Sequence, residues 1–180
     1  REYTYKVVKS EIESDGDVEL KTTEEVASFA ATKTTVVKGN LIIGSDAEEA
    51  EKITDISALA SLKEVTGNIV IRNSYNGADL TGLDNIVSAG GLQVGSTDVA
   101  SKATELHMIS MKALETLSGD ISVYNDQVTY VLFEKLATIG GSVMFNASSL
   151  QSFEFPVLTT VGQDLNLQGL NEENTAAGSI

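Results

Sequence analysis

One five-residue phrase recurs along this chain and constrains its fold more than any other feature: two small or polar residues, then an apolar, a free and an apolar residue. Its copies are Gly39-Asn40-Leu41-Ile42-Ile43, Gly67-Asn68-Ile69-Val70-Ile71, Gly90-Gly91-Leu92-Gln93-Val94, Gly119-Asp120-Ile121-Ser122-Val123, Gly141-Ser142-Val143-Met144-Phe145 and Gln163-Asp164-Leu165-Asn166-Leu167. Their first residues lie 28, 23, 29, 22 and 22 positions apart. A period in this range marks a solenoid, in which each repeat buries its apolar face against the next.

The last three residues of each copy read as a strand, because alternate side chains of a strand share a face. The inward columns are then Leu41, Ile69, Leu92, Ile121, Val143, Leu165 and Ile43, Ile71, Val94, Val123, Phe145, Leu167, all apolar. Stacked in register, such strands form a parallel sheet with one strand per coil, and six coils make a stack about 25–30 Å long. A second pattern, at a spacing of three, precedes most strands: Ile56-Leu59-Leu62-Val65, Met111-Leu114-Leu117, Phe133-Leu136-Ile139 and Phe155-Leu158-Val161. It predicts tight turns, a 3₁₀-like return or a short helix. The third rung fits only with a one-residue shift, as Leu80-Leu83-Ile86 or Val87, which implies an insertion before Gly90. The small residues at the strand entrances, and Asn73 and Asn125 at the exits, read as structural corners, where Gly admits positive φ and Asn or Asp tolerates the left-handed region.

The ends differ. Val18 and Leu20 suit an opening strand, and Thr22-Thr23-Glu24-Glu25 reads as a capping box before Val26, Phe29 and Ala30 on one helical face. A helix there covers the open end of the first coil. Tyr3, Tyr5 and Val7 alternate like a further strand of unknown partner. Residues 171–180 carry no apolar periodicity able to close the last coil, so the expectation is a continuing chain or an intermolecular contact. The division that follows is a single domain over 1–170, with an extension over 1–16, an amino-terminal strand and capping helix over 17–38, and a tail over 171–180.

Composition removes several classes of function. A formal charge of −14, with 26 Asp and Glu against 12 Lys and Arg, makes nucleic acid and anionic lipid poor partners. The apolar runs are far too short for a membrane span. The chain has no cysteine, which excludes disulfides, thiolate metal sites and cysteine nucleophiles and favours a bacterial source. His107 is the one histidine and reads as a surface or packing residue. The oxygen-rich stretches Glu13-Ser14-Asp15-Gly16-Asp17 and Asp46-Ala47-Glu48-Glu49-Ala50-Glu51 lack the spacing of a calcium loop and read as solvated. No metal or cofactor is expected. Asn146-Ala147-Ser148 is a glycosylation sequon, of consequence only in a eukaryotic secretory host.

Val36-Val37-Lys38-Gly39-Asn40-Leu41-Ile42-Ile43, followed by Ile53 to Ile71 with its Ile-x-x-Leu-x-x-Leu-x-x-Val approach and second Gly-Asn-Ile-x-Ile strand, resembles the receptor L domain family. The resemblance runs over about residues 17–170. It implies a mainly β fold: a short right-handed β-solenoid related to leucine-rich repeats, of about six coils, with a helix near the amino end. The chain lacks the cysteines of animal receptor modules and looks more like bacterial cell-surface versions, such as those of lipoproteins. Extracellular ligand binding is what the family implies, but none of its ligand residues carries over, because contacts lie on variable outward positions.

The exposed strand face is therefore the expected binding surface. Its columns are Ile42, Val70, Gln93, Ser122, Met144, Asn166 and Gly44, Arg72, Gly95, Tyr124, Asn146, Gln168. Within them Val70, Arg72, Gln93, Tyr124, Met144 and Asn146 are the candidate contacts, on the enrichment of aromatic, Met and Arg side chains at interfaces. The same composition also arises on any exposed strand that favours β-branched and aromatic residues. The functional expectation is a non-enzymatic module of the cell envelope, cell surface or secreted fraction that recognises an unidentified protein or glycan. A structural spacer or adhesion stalk is the alternative. A polysaccharide-active enzyme is the remaining one, disfavoured because Arg72 is the lone cation in the two columns and acidic-polysaccharide chemistry calls for several.

Overall fold

The apolar-x-apolar triplets form the strands their alternation predicts, and the strands stack. The computed structural model describes residues 10–95, 104–168 and 177–179. Val18–Leu20, Leu41–Ile43, Glu64–Ile71, Ser88–Val94, Ile121–Tyr124, Val143–Asn146 and Leu165–Gln168 follow one another in a parallel ladder. Its register equates Leu41 with Ile69, Ile69 with Leu92, Leu92 with Ile121, Ile121 with Val143 and Val143 with Leu165. The fold is thus a parallel β-solenoid of about six coils with a short helix near the amino end.

The inward columns are buried from Leu41 to Phe145, and the last rung departs from them: Leu165 is 45% exposed and Leu167 only partly buried. Both belong to the final strand of this ladder, which has a described neighbour on one side only. The opposite end is covered. Thr22 caps the helix Thr23–Ala31, its hydroxyl accepting the Glu25 N–H at 3.1 Å. The Glu25 carboxylate reaches back to the Lys21 N–H at 2.6 Å, one residue before the position a regular capping box uses. Val26 and Ala30 on this helix are buried in the core.

The spacing-three segments return the chain to the next coil, and their ends form a second ladder. Val36–Val37 pairs with the start of Glu64–Ile71, which pairs with the start of Ser88–Val94. Thr116–Leu117, Thr138–Ile139 and Thr160–Val161 continue it. Among the described residues only Ser57–Leu59 is 3₁₀-helical. A third ladder, unforeseen from the sequence, joins Met108–Ser110, Tyr130–Leu132, Ser152–Glu154 and Ala177–Ser179. Between these walls, Phe133 stacks on Phe155 with centroids 5.6 Å apart, and Phe145 meets Phe153 edge-on at 5.9 Å.

Two sequence expectations are corrected here. The third rung carries no insertion: Leu80, Leu83, Ile86 and Ala89 are all buried, and Ala89 pairs with Val65. The irregularity is one residue fewer between Ala89 and Leu92, so the register shifts between Val65 and Asn68. The glycines at the strand entrances are not there for positive φ, which among the described glycines is confined to Gly16, Gly44, Gly82 and Gly95. They are there because consecutive coils touch at this corner. A Cβ at Gly90 would lie 2.6 Å from the Gly67 carbonyl oxygen, and one at Gly119 would lie 2.8 Å from that of Gly90.

Except at Gly90, where the next residue is Gly91, polar residues that follow the glycines tie the corner together. Asp17 Oδ1 accepts the Asn40 N–H at 2.7 Å, and Asn40 Oδ1 accepts the Asn68 N–H at 2.8 Å. Farther along, Asp120 Oδ1 accepts the Ser142 N–H at 2.7 Å and Ser142 Oγ the Asp164 N–H at 3.3 Å. None of these side chains requires a left-handed backbone; the single non-glycine positive φ among the described residues belongs to Lys33. Tyr3, Tyr5 and Val7 lie outside the described residues.

Candidate functional site

Because side chains alternate along each strand, the residue between two inward positions faces out, and the ladder sets these residues in a row. Ile42, Val70, Gln93, Ser122, Met144 and Asn166 are consecutive register partners. Tyr124, Asn146 and Gln168 form a second row at the strand ends.

The six candidate residues do not form one site. Tyr124, Met144 and Asn146, with Asn166 and the edge of Phe145, line a shallow pocket over the last three rungs. Asn166 was visible in the outward column but not among the sequence candidates; its signal was its register with Met144. Gln93 lines a neighbouring depression with Asn68, Leu92, Gly119, Asp120 and Ser122. The Gln93 amide donates to the Gly95 carbonyl at 3.0 Å, which fixes it along the sheet. Ser122, at the edge of this depression, is largely buried.

Val70 and Arg72 lie on the earlier rungs, outside both depressions. Arg72 is engaged within the fold: its Nη1 lies 2.5 Å from Asp46 Oδ2, and the other oxygen of that carboxylate accepts the Asn73 N–H at 3.1 Å. The one cation of the two rows is thereby neutralised by an acidic-loop residue. Tyr124, Asn146 and Asn166 are held differently. Among the described residues no side-chain hydrogen bond engages the Tyr124 hydroxyl or the two amides.

Titration behaviour is perturbed elsewhere. Burial, reinforced by Asp79 and Asp55, raises the Tyr75 phenol well above its ordinary range, and its hydroxyl donates to the Asp79 carbonyl. The Tyr130 phenol is raised by its 2.9 Å hydrogen bond to Glu154 on the third ladder. His107 Nδ1 sits 3.1 Å from the Gln127 carbonyl oxygen. The acidic stretches take structural parts, Asp17 at the corner and Asp46 at Arg72. Among the described residues no three His, Asp or Glu side chains gather as a metal site would require, and no helix is long and apolar enough to cross a membrane.

The receptor L domain family model matches residues 33–100, the segment from the end of the helix through the third rung. The β-solenoid agrees with that family, which is one of ligand recognition and not of catalysis. No curated protein and no solved structure matches the chain.

Proposed function

With the receptor L domain match over residues 33–100 as premise, we propose that the chain is a non-enzymatic recognition module of a bacterial cell surface or of the secreted fraction. Its ligand sits on the outward face of the first ladder. The observation that carries this reading is the convergence of Tyr124, Met144, Asn146 and Asn166 on one pocket. These residues come from three different coils, so only the stack brings them together. An aromatic ring, a thioether and two amides supply apolar contact area together with directional donors and acceptors, the mixture that recognition sites enrich.

The test is a binding screen with the immobilised chain against panels of extracellular proteins and of glycans, repeated with Tyr124→Ala and Asn146→Ala. Ligands bound by the parent and lost by both variants support the reading. A specific ligand retained by both variants places binding elsewhere and overturns it.

A further inference from the structure

We infer that the ligand of this face is an uncharged saccharide chain lying along the stack, with one sugar ring over Tyr124. The inference rests on the recognition reading above and narrows it. Three observations carry it. The first is charge: the two outward rows contain a single cation, Arg72, which Asp46 neutralises, and Lys21, just past the opening strand of the same ladder, is paired with Glu19. The chain as a whole bears −14. An anionic ligand, whether uronate, sulfated glycan, phosphate or acidic peptide, would meet repulsion and find no paired cation to offset it.

The second is chemistry. Around Tyr124 the pocket offers the Asn146 and Asn166 amides and the Met144 thioether. An amide presents two donors and an acceptor, which matches a vicinal diol whose hydroxyls each donate and accept. The ring face of Tyr124 supplies the apolar, electron-rich surface that the C–H face of a pyranose covers. Beyond the pocket the surface continues as a polar one along Gln93, Asn68 and Asp120, whereas the core of a protein interface is depleted of charge and more apolar.

The third is geometry. The polar depression at Gln93 and the pocket at Tyr124 and Asn166 lie along one face, from the rung of Gln93 to that of Asn166. Three rung steps of about 4.8 Å separate those rungs, a repeat comparable to the advance per residue of an extended β-linked glycan. Ligand length therefore maps onto coil number.

The experiment is calorimetric titration of the full chain with uncharged oligomers of glucose, mannose, galactose and N-acetylglucosamine, from one to five residues. Uronate oligomers and a protein panel run alongside. The expected result is that at least one uncharged series binds, and that its affinity rises up to about three residues and then levels. Tyr124→Ala should weaken it about tenfold or more, the equivalent of about 1.4 kcal/mol, with Asn146→Ala weakening it too. Arg72→Ala and added salt should leave it unchanged. Circular dichroism and melting of each variant separate loss of binding from loss of fold, with Tyr124→Phe as a variant that keeps the ring. A protein or a uronate oligomer bound through Tyr124 would overturn the saccharide inference while leaving the recognition reading standing. Absence of any ligand dependent on Tyr124 or Asn146 would overturn both.

Discussion

Replacing Leu92 and Leu165 by alanine, each in turn, compares one substitution at two rungs of one inward column. Leu92 is 1% exposed and packed between the rungs of Ile69 and Ile121. Its truncation loses the transfer free energy of the removed carbons and leaves a cavity that two flanking coils prevent from collapsing, about 2–5 kcal/mol in all. Leu165 is 45% exposed and has a register partner, Val143, on one side. Roughly half of its transfer term is already lost to water, and an open site leaves no enclosed void, so the cost is below about 1 kcal/mol. In a chain of this size each kcal/mol moves the thermal midpoint by about 2–4 °C. Taking about 3 kcal/mol for Leu92→Ala, the shifts are about 6–12 °C against at most about 4 °C. Urea titration followed by circular dichroism gives the same comparison isothermally. Equal costs at the two positions would refute the reasoning, since they would mean that the last coil is closed in solution and that the exposure of Leu165 is not its working state.

Asn40→Ala removes the acceptor of the Asn68 N–H and is expected to cost about 1–2 kcal/mol; amide exchange should show Asn68 exchanging faster, and an unchanged rate would count against the corner role. Gly90→Ala places a methyl against the Gly67 carbonyl and should cost about 1–3 kcal/mol by overpacking, whereas a corner needing only a permissive backbone would accept it. Tyr75→Phe tests the buried phenol. Its folded pKa lies above the unfolded value, so its contribution is complete below about pH 10 and is lost as pH rises through the folded pKa. The variant should lose about 1 kcal/mol at neutral pH and be less sensitive to alkali than the parent in base titrations. The Glu51 carboxylate, held below its ordinary value by hydrogen bonds from Thr23, acts in the opposite direction. Its support of the helix start is present above about pH 4.5 and lost as pH falls through the depressed pKa, so the Thr23 amide should lose exchange protection in mild acid, and Glu51→Gln should reduce that pH dependence.

Sequence periodicity made the first ladder legible because each rung repeats two inward apolar residues on either side of a free one. It failed at Leu165, where the pattern is intact but no described strand follows to bury it. The third ladder was illegible for a related reason. Met108–Ser110, Tyr130–Leu132 and Ser152–Glu154 each bury one apolar side chain, the central Ile109, Val131 or Phe153, and a single inward apolar residue has no alternation to detect. The corner glycines were recognised but assigned the wrong cause, since backbone freedom and closeness of a neighbouring coil favour the same residue. At the candidate site, the outward rows followed directly from strand alternation. What periodicity could not supply was pairing across coils: Asp46 reaches Arg72 from a loop 26 residues earlier, and the pocket at Tyr124 takes Asn166 in place of Val70.

The corner hydrogen bonds run in two series, Asp17 to Asn40 to Asn68 and Asp120 to Ser142 to Asp164. Between them stands Gly91, which has no side chain to continue either series, on the rung that is one residue short. The third ladder is likewise built only from strands beyond this rung. The side-chain series is therefore interrupted at Gly91, and the corner there is held by backbone hydrogen bonds instead, from the Gly119 N–H to the Gly90 carbonyl and from the Leu92 N–H to the Asp120 carbonyl. The core runs unbroken across this rung, so the coils carrying Tyr124 and Asn146 rest on the helix-capped half through main chain and apolar packing, and the one corner without a side-chain tie is the place where a larger residue meets both neighbours at once.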